Sequence, residues 1–118
     1  IVYSVNTVAQ EAALAAIGDE EHLARTRHHV KTEKAYLIEG LARIGLRTHC
    51  GEGCFVMVKL PMSDTLVYRH LMMKGVMIRT MTGFRFPNWI RVSIGVHEAM
   101  DAFINALGEV LSEQGCIR

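Results

Sequence analysis

Residues Glu20 to about Ile44 carry one unbroken helical pattern, and its length limits what a chain of 118 residues can become. Leu23, Val30, Leu37 and Ile44 recur every seven positions, with Leu41 beside them, while Arg27, Lys31, Glu33 and Lys34 take the wet side. At 1.5 Å per residue such a helix is roughly 35 Å long. That is long for a chain of this size, and it is best explained as a strut joining two lobes. A shorter helix precedes it, Thr7 to Ile17, capped by Asn6 and stopped at Gly18, after which Asp19 caps the long one. The sequence therefore divides into a helical connecting segment, residues 1–45, and a compact segment, residues 46–118.

The compact segment alternates strands and helices. Leu46 to His49 reads as a short edge strand, and Cys54 to Leu60 as a firm one ended by Pro61. Ser63 or Asp64 caps a helix through Lys74, with Leu66, Val67, His70 and Leu71 inward, and Gly75 closes it. Val76 to Arg79 and Trp89 to Ile94 supply two more strands, and a last helix runs from about His97 to Ser112. The expected fold is α/β in two layers: a small, mostly antiparallel sheet with helices on one face and a long N-terminal linking helix.

Strand parity then singles out a pair of residues. Ile90, Val92 and Ile94 share the face that meets the helices, so Trp89, Arg91 and Ser93 share the other. Val76 and Ile78 point inward, which sends Met77 and Arg79 outward. If the two strands pair, Arg79 and Arg91 lie together on the uncovered side. A guanidinium is a planar fork of donors that matches the oxygens of a carboxylate or phosphate, and two at one cleft suit a doubly anionic small molecule. The alternatives stay open on residues alone: an arginine in a strand ordinarily pairs with a nearby acid or snorkels to water. Arg85 decorates the loop.

Other signals carry less. His28 and His29 face different ways, and His49, Cys50 and Cys54 lack a fourth metal ligand. Ser93 and His97 have no acid that completes a triad. The net charge of +1, with no basic block, does not advertise a nucleic-acid surface. No apolar run approaches the ~20 residues a membrane helix needs. An odd cysteine count and the absence of a basic n-region point to the cytoplasm. The chain opens IVYSVNT without methionine, so it is read as a processed product or a piece of something longer.

The segment GVMIRTMTGFRFPNWIRVSIGVHEAMDAFINALGEVL resembles the C-terminal part of fold-type I pyridoxal-phosphate aminotransferases, most nearly the histidinol-phosphate branch. YSVNTVAQEAALAAI resembles the stretch that follows the cofactor region there, and CFVMVKL fits a strand usually led by asparagine, here Cys54. The threonine usual after the RVSIG motif is here Val96, which offers the last helix no capping oxygen. The resemblance implies that Arg91 grips a substrate carboxylate and Arg79 a phosphate or second carboxylate of an anionic amino-acid or keto-acid substrate. It implies pyridoxal 5'-phosphate in the parent enzyme, held by an N-terminal domain missing from this chain, and a homodimer. The Schiff-base lysine belongs to that missing segment, so the chain alone is expected to bind no cofactor and to be inactive. Histidinol-phosphate:2-oxoglutarate transamination is the expected reaction. A threonine-phosphate decarboxylase, another class I or II aminotransferase, and a stand-alone amino-acid-binding domain are the alternatives.

Overall fold

The computed structural model describes residues 4–117. Tyr3, which opens the YSVN motif, lies outside them. The elements run α1 (Thr7–Ile17), α2 (Glu20–Arg43), β1 (Arg47–His49), β2 (Phe55–Lys59), α3 (Asp64–Met73), β3 (Arg79–Thr80), a single 3₁₀ turn (Thr82–Phe84), β4 (Trp89–Ser93) and α4 (His97–Glu113). The four strands form one antiparallel sheet in the order β1-β2-β4-β3. β2 and β3 both run antiparallel to β4, so they are parallel to each other and need a crossover, which α3 supplies.

Local chemistry sets the boundaries. The Asn6 side chain accepts from Ala9 N at 2.8 Å and the Asp19 side chain from His22 N at 2.8 Å, as caps should. Gly45 and Gly75 follow α2 and α3 at φ +78°, a left-handed turn that favours glycine. The strand expected over Val76 to Arg79 enters the ladder only at Arg79 and Thr80. Val76 and Ile78 are nevertheless half-buried and Met77 is exposed, so the inferred alternation holds outside the paired region.

One face of the sheet makes the core. Val56 and Val58 of β2 and Ile90 and Val92 of β4 pack beneath Leu37 and Leu41 of α2, Val67 and Leu71 of α3, and Phe103, Leu107 and Leu111 of α4. Burying each such side chain contributes on the order of 1.5–3 kcal/mol. Gly40 lets α2 and α4 come close, since a Cβ there would lie 2.5 Å from Ile104 Cδ1.

The helical segment behaves as two parts. Leu37 and Leu41 are wholly buried, so the later half of the apolar stripe of α2 is used within this chain. Leu23 is 48 % exposed, and α1 buries no residue at all, with Val8, Leu14 and Ile17 open. Glu33 departs from its expected wet-side position and is nearly buried. Leu37→Ala should therefore destabilise the chain by ~2–5 kcal/mol, whereas Leu14→Ala should stay within about 0.5 kcal/mol. Urea unfolding of both variants checks this, and equal losses would show that α1 belongs to the core.

Candidate anion-binding face

The helix-free face of the sheet carries three cross-strand rows. His49, Met57, Arg91 and Arg79 form one, Arg47, Lys59 and Trp89 a second, and Phe55 and Ser93 a third. Arg79 and Arg91 are direct Cα partners, so both guanidinium groups leave the same face, as parity requires. Directly opposed side chains start with their Cβ atoms about 4.5–5.5 Å apart, and like charges placed so are destabilising. Among the described residues neither arginine makes an ion pair. Aromatic rings hold them instead: Arg91 Cζ lies 5.3 Å from the Phe55 ring centroid and Arg79 Cζ 5.2 Å from that of Phe84. Both border a cleft of about 440 Å³ beside Ser93 and Gly95, whose lining also takes in the inward-facing Val92 and, from α4, Met100 and Phe103.

No carboxylate sits on these rows, and their one lysine, Lys59, donates to Pro87 O at 3.3 Å and lies 5.5 Å from the Trp89 centroid. The face can thus hold anions but offers no acid, base or nucleophile between the arginines. Among the described residues, no three His, Cys, Asp or Glu side chains converge as a metal site. Nor is any helix long and apolar enough to cross a membrane.

Two polar clusters behind the sheet were not expected from the sequence. In the first, Asp64 is 1 % exposed and turned inward. Ser63 occupies the cap position of α3 without a side-chain cap bond. Asp64 Oδ2 accepts from Met81 N and Thr82 N, both at 2.9 Å, and Oδ1 from Thr82 Oγ1 at 2.5 Å and Asn88 N at 3.3 Å. Burial opposes its ionisation, but the Thr82 hydroxyl and the three amides outweigh burial and hold the carboxyl below its ordinary value.

The second cluster ties α2 to α4. His97 Nδ1 stands 3.0 Å from Glu33 Oε2, and its Nε2 3.9 Å from Asp101 Oδ2. Tyr36 donates its hydroxyl to Asp101 Oδ1 and stacks obliquely on the His97 ring. The bond to Glu33 raises His97 above its ordinary value against a smaller effect of burial, with help from the charges of Asp101 and Glu98. Asp101, as acceptor, likewise raises Tyr36. Nearby, His29 Nε2 lies 2.9 Å from the Gly95 carbonyl. The pairing His97–Asp101 at i,i+4 is visible in the sequence, but nothing local signals Glu33.

The comparisons with known proteins agree with this architecture. The family profile described as "Aminotransferase class I and II" matches residues 1–107. Histidinol-phosphate aminotransferase 2 of Pseudomonas aeruginosa is 37 % identical over 110 residues, covering 93 % of this chain and 30 % of that protein. Histidinol-phosphate aminotransferase 1 of Cupriavidus pinatubonensis is 38 % identical over 112 residues, covering 92 % and 30 %. The solved histidinol-phosphate aminotransferase of Clostridium acetobutylicum superposes with a TM-score of 0.84 at 24 % identity, over 92 % of this chain and 34 % of that one, which establishes a shared fold. The chain belongs to the class I and II aminotransferase family. It spans about 30 % of the length of the curated relatives it matches.

The buried Asp64 and the half-exposed His97 titrate in opposite senses. Asp64, lowered in the fold, stabilises above its unfolded value of about 4, and that contribution is lost as pH falls through the folded value. His97, raised in the fold, stabilises fully below about 6.5, and that contribution is lost as pH climbs through the folded value. His97→Gln should thus cost more stability at pH 6 than at pH 9 in urea unfolding. An identical gap at both pH values would remove charge from the His97–Glu33 contact.

Proposed function

We propose that this chain is the substrate-clamping C-terminal part of a pyridoxal-phosphate-dependent aminotransferase that exchanges an amino group between histidinol phosphate and 2-oxoglutarate in histidine biosynthesis. Residues 1–45 serve as the connecting helical segment and 46–118 as the small domain. The observation that carries the reading is the register of Arg79 opposite Arg91 on a face without carboxylates. Two unpaired guanidinium groups side by side are repulsive until an anion answers both; glutamate and 2-oxoglutarate bring two carboxylates, and histidinol phosphate brings a single phosphate that can carry two charges. Arg91 takes the carboxylate, and Arg79 takes the phosphate or the second carboxylate. The names of the relatives supply the branch.

The described residues do not themselves form a cofactor cradle. The open face has no carboxylate for a pyridine nitrogen, and Lys59 is engaged with Pro87 and Trp89, a row away from the arginines. The cofactor, which supplies an electron sink when bound, is assigned to the part of the enzyme outside this chain. What these residues do is bind and orient: a substrate fixed at two points presents one Cα–H bond in one direction, an arrangement worth several kcal/mol of barrier. The working enzyme is assigned to the cytoplasm as a homodimer.

In the full-length enzyme carrying this chain, Arg91→Ala should raise KM for carboxylate substrates by about 10- to 150-fold, the equivalent of losing a charged hydrogen bond worth about 1.5–3 kcal/mol. Steady-state constants that stay put would reject the role. The 118-residue chain mixed with pyridoxal phosphate should show no imine absorbance that borohydride fixes. A lysine adduct that turns over an amino acid would make this chain a catalyst and overturn the assignment.

A further inference from the structure

We infer that Asp64 is a positioning residue, which fixes Arg79 relative to Arg91 and so sets the preference for substrates with two anionic groups. The inference rests on the arginine-pair reading above. β4 is held by five residue pairs to β2, but β3 joins β4 through only two, Arg79↔Arg91 and Thr80↔Ile90. One of those two pairs opposes like charges, which weakens the shorter contact. Past the ladder the Met81 amide also reaches Trp89 O at 3.1 Å, and the rest of the hold on the end of β3 comes from outside the sheet.

Asp64 holds it. Met81, two residues beyond Arg79, and Thr82 both donate their amides to Oδ2, while the Thr82 hydroxyl donates to Oδ1. Oδ1 also reaches Asn88 N, three residues before Arg91, so one buried carboxylate touches both ends of the loop between the arginine strands. That loop needs an anchor: Arg85 and Asn88 stand at φ 65° and 63°, left-handed positions that non-glycine residues adopt at a cost. The contact reaches the guanidinium itself. Phe84 N donates to Met81 O at 2.9 Å, and the Phe84 ring is the one that faces Arg79. Asp64 therefore sets Met81 and Thr82, these set Phe84, and Phe84 sets Arg79. Arg91, paired on both sides and stacked on Phe55, depends on this chain of contacts far less.

Asp64→Asn keeps the shape but replaces one acceptor oxygen by a donor facing other donors. In the 118-residue chain, amide hydrogen exchange at Met81 and Thr82 should quicken at least tenfold, with a smaller change at Val58 in the core of the sheet. Exchange no faster than in the parent chain overturns the anchor. In the full-length enzyme, KM should rise at least fivefold more for glutamate, with two carboxylates, than for norvaline, which has the same chain length and one. Equal losses on both donors would reduce Asp64 to a purely structural role and overturn the inference. Thr82→Val removes only the hydroxyl bond and should shift the same ratio in the same direction by less, which preserves the test if Asp64→Asn does not fold; no shift with Thr82→Val counts against the inference. A parent enzyme indifferent to the second anion would instead defeat the arginine-pair reading, and with it the specificity claim, while leaving the exchange result intact.

Discussion

The two-sided pairing of β4 is the constraint on which the remaining structure depends. The strand takes β2 on one edge and β3 on the other, and its five residues alternate strictly between core and open face. Ile90 and Val92 enter the core at 0 % and 4 % exposure, and Arg91 stands between them on the opposite side. A slip of one residue against β2 would carry Arg91 into the apolar layer and expose both aliphatics. The hydrophobic requirement of the core thereby fixes the position of a charge outside it. The same register then places Arg79 directly across from Arg91.

That placement is electrostatically unfavourable in isolation. Arg47, Lys59, Arg79 and Arg91 all emerge from one face with no acid among them. Aromatic rings partly compensate: Trp89 lies under Lys59, Phe84 under Arg79 and Phe55 under Arg91. Rings stabilise a cation without neutralising it, so the positive potential remains available to an incoming anion. A carboxylate at Phe55 would have paired with Arg91 and improved the resting sheet while cancelling that potential. Acidic groups are used elsewhere, on backbone amides at Asp64 and on His97 at Glu33, where they organise structure without facing the arginines.

The elements and the arginine pair were legible because both follow from short-range rules. Caps at Asn6 and Asp19, the glycine stops at 45 and 75, and period-two alternation in Trp89–Ser93 each involve residues within a turn or a strand of one another. The local pattern at the start of a helix suits Asp64 to a cap, a role it does not take. Its actual partners are 17, 18 and 24 positions away. Glu33 was placed in water by helical phase, yet its partner His97 is 64 positions on. A charged residue on the flank of a helical stripe is wet or buried according to what packs there, and one chain's periodicity does not contain that information. The apolar alternation of Val76 to Ile78 continues past the point where backbone pairing ends, so the sequence pattern is longer than the ladder of β3.

The long helix gains its meaning from where its packing stops. Its last turns, from Glu33 onward, are bound into the core by Leu37 and Leu41 and into α4 by His97 and Asp101. His29 reaches the carbonyl of Gly95, two residues past the end of β4. Its first turns and the whole of α1 leave Val8, Leu14, Ile17 and Leu23 in water. Scattered apolar side chains on a surface are ordinary, but here they lie along two consecutive helices that together bury almost nothing in their first half. The chain spans about 30 % of the length of the curated relatives it matches. The helix therefore runs from an end that packs on little among the described residues to an anchored end beside Gly95 and His97, next to the strand that carries Arg91. His29 on Gly95 and Glu33 on His97 thus tie the later half of the long helix to the segment that directly follows the strand carrying Arg91.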